Sequence, residues 1–390
     1  MPEGSARQLP LRGRRVVAIE QSVAAPLASR LMADLGADVI KVEPPTGDFS
    51  RYWDRAASGG SSYFAWANRR KRSIALNLRS PDDAHVLHQV LGLSDVLICN
   101  MQYSAAERAG LTEARLSELY PHLVVCQITG YGISTSARDR KAYDTLMQAE
   151  TGLISLTGSP TQAARIGVPL CDIGTGLQAV ILILAAIIER ERSGLGRYID
   201  LSMFEAMGEF TGPDLTAFAN SGVAYQRNPL RHNRIVPYGI FVCRDGQITF
   251  AVEHDSEWRS FCQGVLNRPE LSHDPRFATN GLRVAGRSDL EALIELAMVE
   301  MPVDEVVRRL SAAGIAYGVI NEIGDAWSHP TSTELGLQST AVLPDGTVVR
   351  LPQSAAERTF DRRSPAAIPG LDQHREEIMA ELRAAAVLDG

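Results

Sequence analysis

The chain has 390 residues and a mass of 42.4 kDa, which at about 150 residues per domain allows two or three domains with sizeable cores. With 39 basic and 46 acidic side chains the net charge is −7, so the chain lacks the global basic field on which nucleic-acid binding by counterion release depends. Hydrophobic residues at 45% and charged residues at 22% exclude the composition of a disordered chain.

The N-terminal stretch carries Arg7, Arg12, Arg14 and Arg15 with no apolar h-region before Val16, so no signal peptide is expected and the expected localisation is cytoplasmic. An apolar strand at residues 16–19 leads to a helix opened by Pro26, with Leu27, Leu31 and Leu35 at four-residue spacing and Gly36 beyond it. Strands at 39–43, 73–77, 95–99 and 123–128 follow, separated mostly by helical patterns. The helix beginning at Pro81 has Asp82 and Asp83 near the positive end of its dipole and a buried stripe of Val86, Leu87, Val90 and Leu91. Strands alternating with helices predict an α/β fold with a doubly wound parallel sheet. The longest apolar run, residues 179–188, is about half of what a bilayer needs, so a buried helix over about 176–192 is predicted, and no membrane partner. A strand at 198–203 follows.

Beyond that point the texture changes. Asp245-Gly246 separates alternating segments at 238–243 and 247–252, which predicts a hairpin, and amphipathic helices at 288–299 and 303–313 precede an apolar strand at 315–320. The expected organisation is a large domain of residues 1–215 plus 331–390, a linker at 216–224, and a small α+β domain at 225–330. A further hairpin is expected around Asp345-Gly346, and a last helix at about 374–386.

Cys99, Cys126, Cys171, Cys243 and Cys262 are widely spaced with no C-x-x-C pair, as expected of buried thiols rather than a disulfide frame or zinc site. His85 with His88, and Glu253-His254-Asp255, read as surface or structural groups, so no metal is expected. The turn from Glu20 to Pro26 lacks the G-x-G-x-x-G that lets a dinucleotide pyrophosphate approach the backbone. A P-loop, a G-x-S-x-G elbow and an H-E-x-x-H pair are also missing, which disfavours nucleotide hydrolysis, serine hydrolysis and zinc proteolysis. Arg69, Arg70, Lys71 and Arg72 form a local cationic run that suits either a phosphate or a solvated loop, and charge alone does not separate the two. Asp172, followed by glycines and the most apolar helix, is either a buried acid or an ordinary N-cap, and the pattern favours the cap.

Ala25-Pro26, the run from Leu35 to Glu43, Lys71 to Leu76, Tyr143-Asp144 with Gln148, Ala149 and Gly152, Pro169 to Asp172, and Arg192 to Gly196 followed by Asp200 to Met203 occur in one order and spacing. Together they resemble the family III CoA-transferases, the group that includes formyl-CoA and carnitine CoA-transferases and the α-methylacyl-CoA racemases. The resemblance spans nearly the whole chain. It implies a Rossmann-like large domain, an inserted small domain, and a homodimer whose subunits interlock like rings. It also implies acyl-CoA and carboxylic acid substrates, with coenzyme A handled as a substrate thioester and no tightly bound cofactor. Asp172 matches the nucleophile, which would pass through a mixed anhydride and an aspartyl-CoA thioester, and Asp144 belongs to the same catalytic set. Lys71, Arg72, Asn100 and Arg108 match positions near the CoA nucleotide, and Lys141 and Tyr143 match the CoA cleft.

The departures are specific. Val23 stands where some relatives have a glutamine facing the acyl carbonyl, which leaves Gln21, Ser22 or backbone N–H groups around Val23 as acyl-site candidates. Pro44 replaces a frequent arginine, and the glycine-rich covering loop has no counterpart at 252–258. The racemase branch needs a histidine where Tyr143 stands, and tyrosine is a poor base at neutral pH, so racemisation is the alternative, with a non-catalytic CoA-binding protein as the third reading. Arg231 and Arg234 lie in a segment resembling the small domain of relatives that act on short dicarboxylates such as succinate, itaconate or mesaconate. Cations there would suit a second carboxylate.

Overall fold

The computed structural model describes residues 8–360 and 366–388; the start of the basic N-terminal stretch, with Arg7, lies outside the described residues, as do residues 361–365 and the last two. The chain divides into two compact units, one of Met1–Leu153, Ile166–Asn220 and Pro330–Gly390, the other of Ile154–Arg165 and Ser221–His329. Residues 154–165, expected in the large domain, thus cluster with the second unit.

The first unit is built on a six-stranded parallel sheet of β1 (Arg15–Ile19), β2 (Asp38–Glu43), β3 (Arg72–Ala75), β4 (Val96–Cys99), β5 (Val124–Thr129) and β6 (Tyr198–Ser202), in the order β3-β2-β1-β4-β5-β6. Successive side chains leave a strand on opposite faces, and here both faces are apolar. Val16, Ala18, Val96, Ile98, Val124 and Cys126 pack with the first helix, Ala24–Asp34, and the long helix Leu170–Ser193. Val17, Ile19, Ile40, Val42, Leu97 and Cys99 pack the other way, with helices Pro81–Gly92 and Arg375–Leu388. The result is a mixed α/β fold around a parallel central sheet. The chain runs outward through β1, β2 and β3 and returns to β4, so the strand order reverses between β1 and β4. In open sheets of this kind ligands bind outside the carboxyl ends of the strands at that reversal.

The long helix begins at Leu170, earlier than the expected 176, because its glycines are points of close approach rather than breaks. A Cβ at Gly176 would lie 2.7 Å from the Ala24 carbonyl oxygen, and one at Gly174 would lie 2.5 Å from the Phe210 ring. The helix ends at Gly194, in the left-handed conformation that favours glycine. At 24 residues it is long and apolar enough, by length and composition alone, to cross a membrane, which the ten-residue run did not suggest. Cys171, Ala179, Ile183 and Ala186 on one face are in the core, while Leu177, Ile181, Leu182 and Ile188 are exposed. The expected linker is also shortened, since helix Gly208–Ser221 continues through its first two-thirds. All five cysteines are free and buried.

In the second unit β7 (Tyr238–Cys243) and β8 (Gly246–Ala251) form the antiparallel hairpin, and β9 (Ala316–Val319) joins β8. Helices Arg287–Val299 and Val303–Ala313 close a core of Phe241, Phe250, Trp258, Phe261, Ile294 and Leu310.

Candidate active site

At the reversal between β1 and β4, a cavity of about 640 Å³ opens among the loops that leave β1 to β4. Its lining includes Gln21 after β1, Pro44 after β2, Asn77 and Arg79 after β3, and Asn100 and Arg108 after β4. A second cavity of about 400 Å³ is lined by Gln21, Ser22, Phe49, Asn100, Arg138, Lys141, Tyr143 and Asp172, among others. Gln21, Asn100, Met101 and Gln102 line both, so the two cavities adjoin.

Asp172 occupies the first turn of the long helix, yet it is not the cap. The N-cap position is Pro169, with no side-chain cap bond. The capping is done from outside by Asp144, the first residue of helix Asp144–Glu150. Its Oδ1 accepts from the backbone N–H of Cys171 at 2.8 Å and of Asp172 at 3.4 Å, and its Oδ2 accepts from Gln148 Nε2 at 2.7 Å. This corrects the cap reading of Asp172 and makes Asp144 a positioning residue. No hydrogen bond or ion pair ties down the Asp172 carboxylate among the described residues. Burial, with the like charge of Asp144 adding to it, pushes its pKa up to about 7. A partner-free acid poised at neutrality in a cleft is the usual mark of a chemical rather than a structural group.

The turn after β1 is held from two sides. Asn100 Oδ1 accepts from the Gln21 N–H at 3.0 Å, and Asn100 Nδ2 donates back to the Gln21 carbonyl at 2.8 Å. Asp48 Oδ1 accepts from the Ser22 N–H at 3.3 Å, while its Oδ2 accepts from Lys41 at 2.9 Å. Ser22 has φ +68°, a left-handed conformation that a non-glycine residue adopts only when its surroundings enforce it. The first helix starts here at the cavity-lining Ala24 with no side-chain cap, so its positive end faces this region. Val23 does not reach the cavity. Its side chain is only 1% exposed in the core, which corrects its place among the acyl-site candidates.

The cationic run before β3 is neither a phosphate patch nor a solvated loop. Lys71 Nζ, wholly buried, donates to Glu20 Oε1 at 2.6 Å, the Pro26 carbonyl at 2.9 Å and Asn68 Oδ1 at 2.9 Å. Burial pushes its pKa down to about 7 against the pull of Glu20. Burial disfavours the Lys41 charge too, but Glu20 and Asp48 more than offset it, so that lysine is raised. Arg72 bonds Asp38, Glu377 and Glu381, and Arg69 bonds Asp34 and Glu357. Lys71 and Arg72 therefore leave the expected nucleotide-site set. The residues that follow β3, not those before it, reach the carboxyl end of the sheet, and they bring Arg79, which the sequence reading missed. Its position just beyond the strand end was the available signal.

Asn100, Arg108, Lys141 and Tyr143 do line the two cavities. In the second unit Arg231 is already engaged by its own fold. Its side chain, 7% exposed, pairs with Glu295 at 2.6 Å, approaches Glu291 at 3.6 Å, donates to the Ile240 carbonyl and lies over the Phe241 ring at 3.9 Å. Arg234 stacks over Tyr225 at 4.5 Å. Arg231 is thus occupied within the fold, which corrects its candidacy for a substrate carboxylate.

The sequence model for CoA-transferase family III matches residues 11–375. The chain belongs to CoA-transferase family III. Among its relatives, this family III CoA-transferase is 32% identical to the succinate–glutarate CoA-transferase of Agrobacterium fabrum, over 96% of each chain. It is 31% identical to the succinyl-CoA:glutarate CoA-transferase of Mus musculus, over 96% of this chain and 86% of that one. A crystal structure of a CAIB/BAIF family protein from Brucella suis superposes with a TM-score of 0.80 at 33% identity, covering 96% of this chain and 100% of that one.

Proposed function

We propose that this CoA-transferase moves CoA from an acyl-CoA thioester to a short dicarboxylic acid, with Asp172 as nucleophile. The observation that carries the reading is a half-buried carboxylate with no hydrogen-bond or ion-pair partner among the described residues, its pKa pushed up to about 7, in a cavity adjoining a larger one at the strand-order reversal. The names of the two relatives above support the dicarboxylate class.

In the first half-reaction the Asp172 carboxylate adds to the thioester carbonyl and the C–S bond breaks, leaving a mixed anhydride and CoA thiolate. The thiolate then attacks the aspartyl carbonyl, releases the first acid as carboxylate, and forms an aspartyl-CoA thioester. The acceptor carboxylate attacks that thioester, the expelled thiolate takes the new acyl group, and Asp172 is restored. Both acyl intermediates are open to hydrolysis, so the site must exclude water while they exist. Arg79 and Arg108 serve the CoA phosphates, Asn100 holds the Gln21 turn, and Lys141 and Tyr143 flank the thioester end. Backbone N–H groups at the start of the first helix supply the oxyanion contacts that a glutamine supplies in some relatives.

The protein acts as a cytoplasmic homodimer with the second unit as the inserted small domain. The exposed apolar face of helix Leu170–Ser193 supports the dimer, because a single chain leaves Ile181 65% exposed. Coenzyme A thioester is a substrate here and not a resident cofactor.

The test is to incubate the protein with succinyl-CoA and a panel of mono- and dicarboxylic acids, following new thioesters by mass spectrometry beside Asp172→Ala. A new thioester that vanishes in the variant is expected. α-Deuterium exchange into a branched acyl-CoA with no thioester exchange would favour racemisation instead.

A further inference from the structure

We infer that Arg140 selects dicarboxylic acids by binding the carboxylate remote from the reacting one. The inference rests on the CoA-transfer reading above and assigns a residue to its specificity.

The cavity that holds Asp172 is lined by Arg138, Arg140 and Lys141 and, among the described residues, by no acid other than Asp172. A monocarboxylate acceptor brings one negative charge, and that charge must travel to the Asp172 carbonyl. Three cations at the cavity are more than such a substrate needs, whereas a second carboxylate is matched by the surplus. Of the three, Arg138 lies 3.6 Å from its own neighbour Asp139 and over the Tyr103 ring, and Lys141 falls in the segment that the family resemblance assigns to CoA.

Arg140 is different in how it is held. Its backbone N–H donates to the Ala137 carbonyl at 2.8 Å, its guanidinium sits 5.0 Å from the Tyr131 ring, and its Nη2 donates to Glu150 Oε1 at 2.5 Å. Arg140 lines the cavity, while Tyr131 and Glu150, which hold its guanidinium, do not. Glu150 closes the helix that Asp144 opens. One seven-residue helix therefore carries both the acid that caps the long helix, Asp144, and the acid that holds the cation, Glu150. The planar guanidinium fork offers paired donors to a carboxylate, which a lysine cannot do. Glu150 occupies part of that fork. Arg140 and Glu150 are both well exposed, so their pairing is weak and a substrate carboxylate can displace it at little cost.

The test compares kcat/KM for glutarate with kcat/KM for butyrate, using one acyl-CoA donor throughout. In a double-displacement reaction this quantity reports only the half-reaction with the acceptor. Arg140→Gln is expected to lower the glutarate-to-butyrate ratio by about 10- to 100-fold, Arg140→Lys by less, and Glu150→Gln is expected to lower the glutarate KM by freeing the fork. Melting curves of each variant report whether it is folded. An unchanged ratio in Arg140→Gln, or a wild-type enzyme that prefers butyrate, overturns the assignment while leaving CoA transfer intact. A wild-type protein that forms no new thioester with any acid overturns the transfer reading, and this inference with it.

Discussion

Asp172 and Asp144 divide one task between two acids. Asp144 spends its oxygens on the N–H groups of the long helix, and its charge helps hold Asp172 near neutrality. Only the carboxylate form of Asp172 is a nucleophile. The single-turnover rate with acyl-CoA should therefore rise about tenfold per pH unit below 7 and level off above it. Asp144→Asn keeps an oxygen for the Cys171 N–H but removes the like charge, so the midpoint should move toward acid; a midpoint that stays in place would show that Asp144 contributes no field. Cation roles separate in the same way. Arg79→Ala should raise KM for acyl-CoA by about tenfold with little change in melting temperature. Lys71→Met takes from buried Glu20 its shorter ion pair, leaving it Ser29 and the longer contact to Lys41, and should cost about 3–5 kcal/mol of stability, measured by denaturant unfolding. Asp172 could be assigned from the sequence only through the family resemblance. The local pattern favoured a cap, because a sequence does not show that an acid 28 positions away already serves those N–H groups. Lys71 and Arg72 misled for a similar reason: their partners Glu20, Glu377 and Glu381 are remote in the chain.

At the scale of elements, the sheet was legible because β1, β4 and β5 are mostly apolar runs and helical periodicity separates most of the strands, as buried parallel strands require. The start of the nucleophile helix was not, because Gly174 and Gly176 read as breakers when their neighbours are unknown. In the fold they are the contact by which the helix lies against Ala24 and Phe210. Gly176→Ala should force the two helices apart, with a loss of about 1–3 kcal/mol by chemical denaturation and a larger proportional loss of activity than of stability. Full activity and wild-type stability would mean that the close approach has no part in setting the site. The hairpin at Asp245-Gly246 was readable from turn chemistry alone.

For the whole molecule, composition and length bounded the answer to a folded chain of two or three domains and the alternation of strands and helices gave the α/β class, while the assignment of residues 154–165 depended on contacts no linear pattern carries. The long helix illustrates the same limit. Its apolarity read as burial, yet Leu177, Ile181, Leu182 and Ile188 are exposed. If a second copy covers it, Ile181→Glu should convert the dimer to monomer in sedimentation experiments, and a wild-type protein that sediments as a monomer would remove that explanation. The central claim, that CoA passes through Asp172, is met most directly by peptide mass spectrometry after mixing the protein with acyl-CoA alone. The account predicts CoA joined as a thioester to the peptide containing Asp172, released on adding an acceptor acid and lacking in Asp172→Asn. CoA attached elsewhere, or transfer that persists in that variant, would contradict it.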